Sequence, residues 1–530
     1  MSTTSTPRRT VLRVLAVAVT LVGGLTPAWS GAAVAAEPPT YTLTIRHLDR
    51  AGQAPARYVT SVFGISGAGA DRTEQPYDAS GVTTLRLPKG RYLLESTLFT
   101  ERPADGTDWI VQPRLDLDQD TTVTVDARTT APVDVRPADG SARFLQAGMF
   151  LDVTHEGATR MASMVKLTPN PLRVAHLGPD SEPGSVRQWY DTYWASDTDT
   201  YALGRTFSGT RALTGLTHHY TAQELATLRI RGAARPGGAG TATFDLGPTP
   251  GPAAGPTIGL SQGMPFPGTA TVHVTPHRGT WDLSFAPPGG DGARTNRYFA
   301  NGLALRAGTT TTQTFEGPVL GPALTDRAGV ERDGDTITAN LPLLADGDGH
   351  VPSAPSFDTA YTALHRDGAL IGTRSGADAA AGRAAFTVPA APASYRLAAT
   401  VTRRAATGAT TRVNASWTFP SAATTGPTPL PVSVVRFSPE LNPDGTAAAG
   451  SPIRVPVTVQ GAAANGRVRS LTVSMSADGG ASWTRLPVDA GAVTVPNPAA
   501  ADTAVSLRAE LTDTEGNTLD QTVVDAYRTH

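Results

Sequence analysis

Three observations predict an all-β chain of tandem β-sandwich domains. Apolar residues recur at every second position in short runs: Leu471, Val473 and Met475 alternate with Thr472, Ser474 and Ser476, the period of a strand with one buried face. The runs are punctuated by 54 glycines and 43 prolines, residues that end strands and shape turns. The Ala/Leu/Glu/Lys periodicity of helical proteins is missing, and 530 residues exceed one ordinary domain.

The N-terminus reads as an export signal. Arg8, Arg9 and Arg13 form a basic region, Val14 to Val22 an apolar core, and Ala33-Val34-Ala35 a small-residue cleavage site, so residues 1–36 are expected to be a signal peptide. The run Arg8 to Arg13 is also similar to a twin-arginine signal, although Pro7 and Val11 depart from the usual pattern; the general and twin-arginine routes both stay open. Either route makes the protein secreted and extracellular. The leader holds three arginines and no acid, so its removal takes the formal charge from -2 to -5. Neither value attracts nucleic acid or an anionic membrane. No later stretch reaches the ~18 apolar residues that span a bilayer, and Asp525 to His530 carries no sorting tail, so release without a membrane anchor is expected. With no cysteine in the chain, disulfides, thiolate metal sites, a Cys nucleophile and a lipidated N-terminal Cys are excluded. The two lysines, Lys89 and Lys166, leave little scope for lysine isopeptide cross-links.

Taken in order, residues 40–128 show strands at 41–45, 58–63, 82–87, 91–98, 109–117 and 122–127, with turns at Asp78 to Gly81 and Pro88-Lys89-Gly90. Residues 129–323 show strands near 149–155, 161–167, 187–194, 241–244, 269–274 and 310–315, a Pro/Gly loop at 248–256, and one helical turn at 221–228 capped by Thr221 and Glu224. A third block, 324–421, carries strands near 336–341, 359–366, 384–388, 394–402 and 411–419. A Pro/Thr linker, 422–431, leads to a last domain at 432–530. There Ile453, Val455, Val457, Val459 and Val505, Leu507, Ala509, Leu511 repeat the alternation over a length typical of an immunoglobulin- or fibronectin-like sandwich.

Candidate chemistry is sparse. Gly259-Leu260-Ser261-Gln262-Gly263 matches the Gly-x-Ser-x-Gly nucleophile elbow, but Pro256, Pro265 and Pro267 forbid the helix such an elbow must enter. His218 and His219 are adjacent, so on a strand they would point to opposite faces and bind no common metal; a loop exposing both is expected. Asp346-Gly347-Asp348-Gly349-His350 begins like a calcium loop, yet Phe357 stands where the closing Glu belongs, so it reads as a turn. Asp116, Asp118 and Asp120 alternate with Leu115 and Leu117, which places the carboxylates on a solvent face. No catalytic, metal or cofactor residues are assigned. The binding candidate is Trp189-Tyr190-Asp191-Thr192-Tyr193-Trp194: in a strand Trp189 and Tyr193 share one face and Tyr190 and Trp194 the other, so a sandwich would bury one pair and present the other for stacking on sugar or peptide. Burial of both pairs by neighbouring domains is the competing expectation.

Ser476-x-Asp478-x-Gly480-x-x-Trp483 resembles the Asp-box hairpin of sialidases, with Ser482 where Thr is usual. A single copy implies a structural turn and not glycosidase chemistry. The segment DASGVTTLRLPKGRYLLES resembles the carboxypeptidase-regulatory-like, or transthyretin-like, fold. Over residues 41 to 530, the order RYLLES, VQPRLDLDQDTTVTVDAR, FDTAYTALHRDGALIGT, LPVSVVRFSP, SADGGASWTRLPV and VSLRAELTDTEGNT resembles the C-terminal accessory region of secreted actinobacterial subtilisin-like serine peptidases. In that family the peptidase domain lies upstream. The His-Gly-Thr-His and Gly-Thr-Ser-Met-Ala settings of its catalytic residues do not occur here. The resemblance therefore implies a non-catalytic protein that binds extracellular protein, polysaccharide or cell-wall polymer. A secreted hydrolase with a site in 129–323, or a piece of a peptidase lacking its catalytic domain, are the alternatives.

Overall fold

Along Thr40–Leu48 the chain alternates Leu43 and Ile45, both fully buried, with partly exposed Thr44 and exposed Arg46. A β-strand gives this pattern when one face packs and the other is wet. The structure, a computed structural model, describes residues 37–530 except 234–238, 250–256, 277–278, 289–295, 376–381, 405–409 and 443. The expected signal peptide and 250–256 of the Pro/Gly loop lie outside the described residues. From Thr40 onward the fold is all-β, built as tandem sandwiches.

Four sheets stack in the first part. The first has three strands, in the order Val82–Pro88, Thr40–Leu48, Thr121–Asp126. The second has seven and includes Arg57–Gly67, Gly90–Phe99, Thr107–Leu117 and Leu172–His176. The third, also of seven, runs from the edge strand Ala158–Lys166 through Arg143–His155, Val186–Ala195 and Asp199–Gly209 to Thr310–Phe315. The fourth has four, in the order Leu260–Phe266, Gly240–Pro248, Trp281–Ala286, Tyr298–Leu303.

The central strands of the second and third sheets are buried on both faces. In the second sheet Tyr92, Leu94 and Ile110 pack toward the first sheet, whereas Leu93, Trp109 and Val111 pack toward the third. In the third, Tyr190 and Leu203 face the second sheet, and Tyr193 and Ala202 face the fourth. Consecutive apolar residues such as Trp109-Ile110-Val111 follow from this, because each successive side chain enters a different core.

The rest forms one continuous core from Val319 to Tyr527. Its central sheet contains Thr359–Arg366, Ala393–Thr402, Arg412–Ser421, Thr518–Thr529, Ala504–Asp513 and Val468–Ser476 in that order. A four-stranded sheet around Thr336–Asn340 and a three-stranded sheet around Pro452–Gly461 supply the remaining layers of this core.

The ladders cross two of the expected domain divisions. Leu172–His176 pairs in parallel with Thr107–Leu117, from Leu172 opposite Thr107 to His176 opposite Val111, across the division at 128. Arg412–Ser421 pairs with Thr518–Thr529 across the division at 421–432. The Pro/Thr interval is itself held: Thr428–Pro429 pairs with Gly329–Asp333, and the Leu430 N–H donates to the Val330 carbonyl at 2.7 Å. Alternation shows which face a strand buries but not which distant strand completes its ladder. The expected helical turn at 221–228 contracts to a 3-10 turn, Ala222–Glu224. Glu224 Oε2 accepts the Thr221 N–H there at 2.9 Å, and the strand Ala226–Gly232 takes the rest.

Candidate functional site

The aromatic strand Val186–Ala195 lies inside the third sheet, between Arg143–His155 and Asp199–Gly209. Trp189, Tyr190 and Tyr193 are 2%, 4% and 1% exposed. Trp189 stacks on Phe150 with centroids 5.5 Å apart, and the Tyr193 hydroxyl donates to the Ile258 carbonyl at 2.6 Å. Trp194, beside a register shift at Tyr193/Trp194, is partly buried edge-on against Phe144. The presented pair expected from alternation is thus corrected: another sheet covers each face, so these rings form core and no platform in solvent.

His218 and His219 sit on the strand Leu216–Tyr220 and not in a loop. His218 Nε2 meets Glu224 Oε1 at 2.8 Å and His219 Nε2 meets Asp134 Oδ2 at 2.8 Å. These are two separate pairs on opposite faces. Among the described residues neither adjoins a nucleophile, so the hydrolase reading gains no site from them. Ser261 lies on the strand Leu260–Phe266, with no helix behind it. Asp346 is fully buried, and its Oδ1 accepts the His350 N–H at 2.8 Å, closing a turn. Asp116 pairs with Arg91 and Arg114 at 2.6 and 2.7 Å. Among the described residues, no three His, Asp or Glu side chains converge on a metal position.

The hairpin after Val468–Ser476 is tied by Asp478. Its Oδ1 accepts the Ser482 N–H at 2.9 Å, and its Oδ2 accepts the Ser482 hydroxyl at 2.5 Å. Ser476 Oγ donates to Asp478 Oδ1 at 2.6 Å and accepts the Gly480 N–H at 2.9 Å. Gly480 holds φ at 91°, a left-handed conformation that favours glycine, beneath the Trp483 ring. The hydrogen bonds from Ser476 and Ser482 hold the Asp478 carboxyl well below the usual carboxylate range. These groups shape a turn.

A different surface gathers polar groups: the outer face of the fourth sheet. Phe244 and Leu246 point into the core, so Asp245 and Gly247, which alternate with them, point out. Register places Asp245 opposite both Ser261 and Ser284, and Ser284 opposite Phe299. Gly247 and Gly259 have no side chains to fill the space beside this row, and a trough of about 550 Å³ results, bordered by Asp282 and Asn301. Ser284 Oγ donates to Asp245 Oδ2 at 2.8 Å, and Arg297 bonds both Asp245 and Ser284. Partial burial pushes the Asp245 carboxyl up, but the bonds from Ser261, Ser284 and Arg297 outweigh it and hold it below its ordinary value. Asp282 Oδ1 accepts from Thr249 Oγ1 at 2.7 Å and from the Gly302 N–H at 2.8 Å. Phe299 is 45% exposed at the rim. The arrangement offers fixed donors, acceptors and one open ring. Ser261 meets a carboxylate where a hydrolase would place a histidine.

The sequence signal for this trough was the spacing Thr243, Asp245, Gly247 against Gly259, Ser261, Gly263. Only strand register brings the two sets together.

No protein-family model matches the chain, and no curated protein matches it. Among solved structures, the TIE protein of Bacillus anthracis is 13% identical over 52% of this chain and 50% of that one, with a TM-score of 0.13. An α-2-macroglobulin of Salmonella is 11% identical over 92% of this chain and 39% of that one, with a TM-score of 0.16. BcpA, the major pilin subunit of Bacillus cereus, is 10% identical over 52% of this chain and 99% of that one, with a TM-score of 0.13. The chain thus spans about half the length of the first and 39% of the second, and scores this low relate neither its fold nor its function to any of the three.

Proposed function

We propose that the chain is a secreted, non-catalytic multi-domain binding protein, akin to the accessory region of subtilisin-like peptidases, that holds an extracellular polysaccharide or cell-wall polymer. The observation that carries this reading is the trough on the fourth sheet. Asp245, Ser261, Ser284 and Asn301 line it from neighbouring strands, Arg297 fixes Asp245 and Ser284 from beside it, and Phe299 stands open at the rim. Polyhydroxylated rings suit such a surface, because hydroxyls bond the polar row while the apolar sugar face lies on the aromatic ring.

The test is retention of the purified protein on insoluble peptidoglycan, chitin and cellulose. Phe299 and Asn301 are exposed, so Phe299→Ala and Asn301→Ala leave the fold intact. Phe299→Ala should weaken retention by about tenfold, the scale of one aromatic contact of ~1.4 kcal/mol. Absence of wild-type retention on all three polymers, or retention unchanged in both variants, would overturn the reading.

A further inference from the structure

Away from the trough, the space between the second and third sheets opens along the edge strand Ala158–Lys166. The opening is a crevice of about 490 Å³, within the ~300–1,000 Å³ range of small-molecule sites. Its walls include Val59, Phe99, Val165 and Leu167. Val59 and Leu167 are 53% and 70% exposed, apolar surface left in water at the mouth, whereas Val165 shares the outer face of its strand with exposed Thr159, Met161 and Ser163.

Two cations share this apolar setting. The Arg57 guanidinium lies 4.4 Å from the centroid of Phe99, and the Lys166 ammonium lies 4.4 Å from that of Phe144. Among the described residues neither makes an ion pair. Burial alone pushes the Lys166 amine down to about 8, the mark of a cation taken from water without a counter-charge. The neighbouring acids are otherwise engaged. Asp105 pairs with Arg102, and Asp108 lies between Arg50 and Arg173. Glu95, beneath the crevice, is pushed up to about 7 by burial and accepts hydrogen bonds from the Trp109 ring N–H and the Ser163 backbone N–H.

We propose that this crevice binds a small apolar monoanion, a carboxylate or sulfonate, with its hydrocarbon body on Val59, Phe99 and Leu167 and its head on Lys166 and Arg57. Such a ligand covers exposed apolar area and gives both cations the counter-charge they lack.

The test uses 1-anilinonaphthalene-8-sulfonate with the full chain under conditions where its circular dichroism is native. Uncharged N-phenyl-1-naphthylamine is the control. Saturable fluorescence enhancement by the sulfonate is expected, with displacement by decanoate and not by decanol. Lys166→Gln should weaken sulfonate binding by about tenfold, the scale of one charge-assisted contact, and leave the neutral amine unchanged. Val59→Trp, which fills the mouth from an exposed position, should remove both. Three results would each overturn the proposal: no saturable sulfonate binding, equal displacement by decanol, or wild-type affinity in a Lys166→Gln, Arg57→Gln double variant that melts like the parent.

Discussion

Replacing Glu95 with Gln tests the interlayer packing through its dependence on pH. Glu95 lies between Leu93 and Thr97 on Gly90–Phe99 and faces the third sheet, where Oε2 accepts the Trp109 Nε1–H at 3.1 Å. Burial outweighs that bond and the one from the Ser163 N–H, so the carboxyl titrates at about 7 instead of 4.5. The folded state therefore keeps a proton that the unfolded chain releases. Stability from this group is fully present below pH 4.5, falls as pH rises toward 7 and levels off above it. The total change is about 3 kcal/mol, taking ~1.4 kcal/mol for each pH interval between the two values. Gln keeps an acceptor for both N–H groups and does not titrate. Melting curves of parent and variant followed by circular dichroism should nearly coincide at pH 4.5. At pH 8 the variant should melt several degrees higher, since ~1 kcal/mol moves a unit of 150–250 residues by about 2–4 °C. Groups common to both proteins cancel in the difference. A difference in melting temperature that stays constant from pH 4.5 to 8 would refute the argument that Glu95 is buried without an adequate partner.

Two further substitutions separate core from surface roles. Asp478→Ala should lower the melting temperature of the C-terminal part, because it releases the Ser482 amide and the Ser476 and Ser482 hydroxyls. The depressed carboxyl stabilises above pH ~3.8 and loses that contribution as pH falls, so calorimetry should find the gap between parent and variant closing in acid; a gap that persists unchanged there contradicts the assignment. Trp189→Ala should cost about 3–5 kcal/mol, the scale for emptying a buried aromatic site, yet leave polymer retention intact well below the melting temperature. Loss of retention in that still-folded variant would return the aromatic strand to the binding surface.

How far the sequence reveals these features depends on where water lies. Alternation reads Thr40–Leu48 and Pro452–Gly461 correctly because one face of each is partly solvated. It misleads at Val186–Ala195, where the strand is real but the assumption of one wet face fails, since the third sheet is internal. A clue was present: Asp191 is the only acid in that run, and it too is buried, at 1% exposure. The Asp478 turn is local, and its Ser, Asp and Gly spacing carries the geometry directly. The trough and the crevice depend on register and on stacking. Asp245 meets Ser284 from 39 residues away, and Arg57 and Lys166 belong to strands of different sheets with no ladder between them. No periodicity within either segment encodes that proximity.

Shared sheets also change what a domain means in this chain. Cutting at residue 128 would strip Ala131–Pro137, Leu172–His176 and Leu216–Tyr220 from the second sheet and expose Trp109 and Val111, whose packing partners lie on the third. The apolar cores instead change hands between Phe315 and Val319, where one cluster ends and the next begins. The outer face of the fourth sheet and the crevice at Ala158–Lys166 both belong to the stack before that change. The third sheet backs the trough through Phe244, Leu246 and Leu283 and forms one wall of the crevice. The trough is held rigid by a sheet whose central strands are buried on both faces, so that moving one would open two cores at once, whereas the crevice lies at that sheet's edge, where Thr159, Met161, Ser163 and Val165 are exposed.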